Sequence, residues 1–293
     1  MRNTFAKVFA QIASEDERQC MVVADISPAG AMDEFRSAYP RRFVNVGVAE
    51  QIMIGMAAGM AMRGLRPWAY TIATFALFRP FEFVRDDLCY QQLPVTVVGV
   101  GGGVTYAQLG ATHHAMEDVA IACALPNMQV LAPCDPYETA EATRWCAAQK
   151  AGPVYLRLGK AGEPMLLGEE PWQFGKLRKI RDGHDAIIGY GPILKMAMDA
   201  VPEAAIYSCH TLKPLDRAGI TSMLREHGSV LVLEEATRWL GDQVRALDYY
   251  GDGRISSIAL RDDFPHTYGT HADVLKAHGL TAERIREALH GTA

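Results

Sequence analysis

Short β-rich runs alternate with helix-length stretches along the first half of the chain, and no other feature limits the fold as strongly. The runs are MVVAD (21–25), RFVNV (42–46), PWAYTI (67–72), PVTVVGV (94–100), MQVLAP (128–133) and PVYLRL (153–158). Helix candidates lie between them at 2–18, 49–63, 77–91 and 136–150. Parallel neighbours cannot be joined by a tight turn, and helices of this length supply the crossovers. The alternation therefore predicts a mostly parallel sheet covered on both faces. The stretch AGEPMLLGEEPWQFGK (161–176) interrupts the rhythm with three Gly and two Pro. The pattern then restarts in HDAIIGYG (184–191), AAIYS (204–208), SVLVLEE (229–235) and RISSIAL (254–260). The expected fold class is α/β, with two doubly wound domains at 1–163 and 179–293 and a linker at 164–178. A chain of 293 residues is long enough for each domain to bury its own core.

The formal charge of −5, with basic residues scattered along the chain, gives no electrostatic footprint for nucleic acid or an acidic membrane. The most apolar stretch, Ile52 to Met62, falls short of the roughly 20 residues a bilayer span requires. The N-terminus MRNTFAKVFAQIASEDER has no long apolar core and carries acidic residues, so it reads as the first helix of a cytoplasmic protein. Six cysteines without a Cys-x-x-Cys pair read as buried, reduced thiols.

Three stretches could carry chemistry. In RFVNVGVAEQIMIGMAAGMAMRG (42–64) a strand, a turn at Gly47 and a helix beginning near Ala49 place Glu50 in the first helical turn. The positive helix end favours its charge, while burial among Ile52, Met53, Ile54 and Met56 opposes it. In TFALFRPFEFVRDD (74–87), Phe75, Phe78 and Phe81 recur every third residue, which gathers them on one face of the expected helix as a core stripe. The third stretch, 99–138, contains Gly-Ala-Thr-His-His. His113, His114, Glu117 and Asp118 offer metal-binding atoms, but adjacent histidines diverge and no zinc spacing is present. A loop histidine followed by a helix-capping acidic pair is the better reading, and no metal ligand is assigned. The glycines of GVGGG (99–103) lack the ordered spacing of a dinucleotide site and read as a flexible active-site loop. Gly251-Asp252-Gly253 lacks the Asn-Asn partner of a diphosphate motif.

Taken together, these stretches resemble the transketolase family: the Gly-Val turn before Glu50, the Thr-Phe-x-x-Phe-x-x-aromatic pattern, and Gly-Ala-Thr-His where relatives carry Gly-Pro-Thr-His. Thr211-Leu212-Lys213-Pro214-Leu215-Asp216 and the strand ending in Glu234-Glu235 extend the likeness to the family's C-terminal domain. The resemblance implies thiamine diphosphate as cofactor, with Glu50 on its aminopyrimidine ring, Phe78 stacked on that ring and Phe75 and Phe81 beside it. It implies His113 at the substrate carbonyl, Arg157 on a substrate phosphate, and Lys213 and Glu234 as structural residues. Where sugar-using relatives carry an acidic pair, this chain has Gln108 and Leu109, so Gln108 becomes the substrate-side candidate there. The diphosphate-binding domain is missing, which implies a separate subunit holding the diphosphate and its Mg2+ or Ca2+, in an α2β2 heterotetramer acting on small carbonyl compounds. The expected activity is transfer of a two-carbon ketol unit from a ketose-type donor to an aldehyde acceptor. The β subunit of a 2-oxo acid dehydrogenase first component and a non-catalytic scaffold relative are the alternatives.

Overall fold

A computed structural model describes residues 1–25, 32–166, 168, 170–248, 251 and 254–290, without the side chain of residue 254. Asp252 and Gly253 of the Gly-Asp-Gly string, and Leu167 and Glu169 of the linker, lie outside the described residues. The strands are β1 (Gln19–Val23), β2 (Phe43–Asn45), β3 (Arg66–Ile72), β4 (Thr96–Val100), β5 (Gln129–Leu131) and β6 (Val154–Leu158), then β7 (Arg178–Arg181), β8 (Ala186–Gly189), β9 (Ala205–Ser208), β10 (Thr211–Lys213), β11 (Ser229–Leu233) and β12 (Arg254–Ile258). They build a seven-stranded sheet ordered β10-β5-β6-β4-β3-β1-β2 and a five-stranded sheet ordered β12-β11-β8-β9-β7. Every pairing is parallel except β10 on β5 and β7 on β9. The doubly wound α/β architecture is thus the one the alternation predicts. Strands β1, β4 and β6 are buried at every residue, which is why they read as apolar runs rather than as alternating ones.

Two expectations need correction. The domains are not wholly separate in their cores: one cluster, from Phe5 and Phe9 to Leu158, lies in the first half, but another runs from Val22, Met53 and Ala69 through Tyr155 to Ile188, Leu212 and Val232. The Thr-Leu-Lys-Pro turn is the reason: Thr211 and Lys213 pair antiparallel with Leu131 and Val130, adding a strand from the second half to the first sheet. Lys213 Nζ also donates to the carbonyls of Cys123 and Leu125 at the end of the helix Asp118–Ala124. Its role is structural, as the resemblance implies.

The second correction concerns the helix expected at 77–91. The structure has a helix at Ala73–Leu77, a turn at 78–80, a short helical stretch at Phe81–Phe83 and π-helical backbone at Val84–Tyr90. Pro80 has no N–H to donate and disfavours helical backbone in the residue before it. The three phenylalanines therefore do not share one helical face.

Candidate active site

Each side chain of the site hangs on the C-terminal end of a parallel strand, where open α/β sheets leave a crevice. After β2, Asn45 Oδ1 accepts the N–H groups of Gly47 at 2.9 Å and Asp25 at 3.1 Å. Gly47 turns the chain at φ +74°, a value that glycine adopts without strain. The helix Glu50–Met62 then opens with Glu50 in its first turn. Glu50 is 2% exposed. Its carboxylate is met by Arg79, whose Nη1 donates to Oε1 at 3.0 Å and Oε2 at 2.9 Å.

Arg79 lies in the turn after β3 and the helix Ala73–Leu77. Its guanidinium lies over the Phe75 ring, 4.3 Å from the centroid. Phe75 in turn meets the His113 imidazole edge-on at 5.2 Å. The loop after β4 supplies His113, whose Nδ1 lies 2.9 Å from Thr112 Oγ1. Tyr106 stands 6.5 Å from His113, and the Lys160 ammonium, just past β6, lies 4.9 Å from the Tyr106 centroid. Four strand ends thus bring Glu50, Arg79, Phe75, His113, Tyr106 and Lys160 together.

The glycines before His113 are packing contacts, which corrects the reading of a flexible loop. A Cβ on Gly101 would strike Tyr106, one on Gly102 would strike Arg157, and one on Gly103 would strike Glu235. Gly101 also donates to the Leu158 carbonyl, and Gly103 exchanges hydrogen bonds with Ala115. The second half of the chain buttresses the loop. Glu235 Oε1 accepts from Val104 N at 3.0 Å and lies 2.7 Å from His271 Nε2. Burial works against the His271 charge, but Glu235 outweighs it and holds the imidazole above its ordinary value. Glu234 accepts from the backbone of Trp239, Leu240 and Gly241 at the start of the helix Leu240–Arg245 and from Tyr190, a structural use.

Phe78 is partly buried against the core, and Phe81, beyond Pro80, is 36% exposed. Gln108 and Leu109 are exposed on the loop, with no acid in their place. Arg157 does not stand in the site. It is 4% exposed, its Nε donates to Asp118 Oδ2 at 2.8 Å and its Nη2 to the Glu235 carbonyl at 2.8 Å. Burial works against its charge and Asp118 more than restores it. This is the structural ion pair, and its donors point inward rather than to a ligand. The accessible cation of PVYLRLGK is Lys160, which the sequence reading passed over. The legible signal was position: an arginine inside an all-buried strand must be paired internally, whereas a residue past the strand's C-terminal end faces the crevice. Arg79 was also missed, although it sits inside the aromatic motif.

His113, His114, Glu117 and Asp118 do not converge on one point, since Asp118 is taken by Arg157 and Tyr155. Among the described residues, Cys134, Asp135 and Glu138 do bring ligand-type atoms together. Asp135 caps the helix Pro136–Ala148, and Glu138 pairs with Arg178 and Ser208, so their polar atoms are already used.

Burial, and then the Arg79 charge, hold the His113 imidazole below its ordinary value of 6.5. At neutral pH the ring is therefore uncharged, and it gains a proton only as pH falls below that value. The groups facing it are Arg79, Tyr106 and the buried His114. In an NMR titration of the isolated chain, His113 is expected to titrate below 6.5, and Arg79→Ala is expected to move it upward. A value at or above 6.5 in the unaltered chain would contradict this electrostatic picture.

The comparisons with known proteins identify the family. Residues 1–162 match the transketolase pyrimidine binding domain, and residues 175–285 match the transketolase C-terminal domain. The chain belongs to the transketolase family. Its relatives include one of the apulose-4-phosphate transketolase subunits of Phocaeicola vulgatus, 31% identical over 82% of this chain and 80% of that one. The 6-deoxy-6-sulfo-D-fructose transketolase subunit SqwH of a Clostridium species is 31% identical over 99% of this chain and 93% of its own. A solved split-gene transketolase, an inactive β4 tetramer, superposes with a TM-score of 0.88 at 30% identity, covering 99% of this chain and 96% of that one. No helix among the described residues of this transketolase-family chain is long and apolar enough to cross a membrane.

Proposed function

We propose that this chain is the pyrimidine-side subunit of a thiamine-diphosphate-dependent transketolase. It would transfer a two-carbon ketol unit from a ketose-type donor to an aldehyde acceptor, and only together with a separate diphosphate-binding subunit. The observation that carries the reading is the Glu50 carboxylate, which is buried at a helix start and held by Arg79, whose guanidinium lies over the Phe75 ring next to His113. The donor set fits the ring of this cofactor: one carboxylate to accept from a ring N–H, and the aromatic face of Phe75 to lie against it, with Phe78 in the stacking role that the family resemblance implies. When bound, thiamine diphosphate supplies the carbanion chemistry of carbon–carbon cleavage and formation.

The chain's own residues position and protonate. Glu50 fixes the ring's orientation and holds the proton at its nitrogen. His113, neutral at working pH, takes a proton from a substrate hydroxyl and, once protonated, returns it to the substrate oxygen where charge develops. Lys160, beside Tyr106, faces any anionic group the substrate carries. Gln108 offers an amide to a substrate hydroxyl, while Leu109 can offer no hydrogen bond.

A partner protein is supported by the two relatives that are named as transketolase subunits and by the β4 tetramer of the split-gene relative being an inactive form. It is also supported by the apolar face around the site, where Val48 is 69%, Ile52 57% and Met56 37% exposed. Exposed apolar residues clustered in this way mark contact surfaces. An α2β2 heterotetramer with Mg2+ or Ca2+ held by the partner fits this arrangement. Six free thiols, five of them buried, fit a cytoplasmic location.

The test is the product formed by the reconstituted complex. Appearance of a two-carbon unit on an aldose acceptor supports the proposal. Decarboxylation of a 2-oxo acid with transfer to a lipoyl group would instead assign the chain to the dehydrogenases.

A further inference from the structure

We infer that Arg79 is a built-in competitor of the cofactor ring, occupying both contacts that the ring needs until the site is loaded. The inference rests on the reading of the Glu50 pocket as a thiamine pyrimidine site. The guanidinium is planar and carries N–H donors. Here it lies over an aromatic face, 4.3 Å from the centre of Phe75, and donates to both oxygens of a buried carboxylate at 2.9 and 3.0 Å. A protonated or amino-substituted pyrimidine presents the same elements, a flat cation-like ring edge toward Glu50 and a π-face toward phenylalanine. The two groups cannot hold both contacts at once.

The pair is built to open. Glu50 is 2% exposed and Arg79 40%, so the carboxylate is fixed in the protein while its partner reaches in from solvent. A single nitrogen, Nη1, serves both carboxylate oxygens. The stronger fork-to-fork geometry would use two parallel bonds from two nitrogens. Arg79 can therefore return to water with little loss, whereas Glu50 cannot. A buried carboxylate left without a partner is costly, and among the described residues Arg79 supplies the hydrogen bonds to it. Arg79 thus satisfies the Glu50 carboxylate and makes the cofactor displace it on entry.

Arg79 is a positioning residue, and its removal acts first on cofactor affinity. In the complex reconstituted with the diphosphate-binding subunit, thiamine diphosphate titrated against tryptophan fluorescence is expected to bind Arg79→Ala about three- to tenfold more tightly. Arg79→Gln keeps the length and some hydrogen bonding, so it provides a second measurement if the alanine variant folds poorly. It is expected to fall between alanine and the unaltered chain. Adding Glu50→Gln should abolish the difference that Arg79→Ala makes, because both act on one contact. Unchanged or weaker cofactor binding by Arg79→Ala and Arg79→Gln would overturn the inference while leaving the proposed function standing. Unchanged cofactor binding and turnover in Glu50→Gln alone would instead overturn the proposed function.

Discussion

Replacing Glu50 with glutamine is expected to lower turnover of the reconstituted enzyme by about 10²- to 10⁴-fold, the usual contribution of a positioned proton-handling group. Assembly and folding should survive. Glutamine keeps the length and shape of glutamate and retains a hydrogen-bond acceptor for Arg79, and Arg79 is open enough to water to solvate itself. What the amide loses is the charge and basicity that hold a proton on the ring nitrogen. Glu50→Ala should lose as much activity, because it removes the same group. The measurement is turnover by single-step mixing together with the assembly state by light scattering. A scaffold relative would show full assembly and no change in any activity of the complex, so an indifferent Glu50 variant would favour that alternative.

The second large effect falls on stability. Arg157→Met is expected to destabilise the chain by about 3–5 kcal/mol, the cost of breaking a buried ion pair from one side. The substitution leaves Asp118, fully buried, with the Tyr155 hydroxyl and its own local backbone contact but no counter-charge. It also removes the tie from Arg157 to the Glu235 carbonyl, which joins the end of β6 to the segment after β11. Small domains have only about 5–15 kcal/mol of stability in total, so the loss should be plain in urea unfolding. Arg157→Met combined with Asp118→Asn should recover part of it, because the second change removes the stranded charge. A substrate-phosphate role would give the opposite pattern, with normal stability and a raised KM.

Much of this architecture was readable in advance because buried parallel strands declare themselves as apolar runs and helices by their length. Glu50 was readable because the turn at Gly47 and the helix start are local. The features that escaped depend on partners distant in sequence. Thr211–Lys213 is a short strand that joins the sheet of the first half at Leu131 and Val130, and no local period announces that. The break at Pro80 was written in the sequence, but the regular spacing of Phe75, Phe78 and Phe81 masked it. The choice between Arg157 and Lys160 turned on strand burial, since both are basic residues in one short string. Arg79 carried no sign of its role until Glu50 and Phe75 were seen on either side of it.

The central claim is that this chain contributes Glu50 to an active site completed by another protein. Its most direct test is turnover of a ketose donor and aldose acceptor with thiamine diphosphate and Mg2+, measured for the purified chain alone and after adding the diphosphate-binding partner. No turnover is expected from the chain alone and ketol transfer once the partner is present; robust turnover by the chain alone would contradict a shared active site.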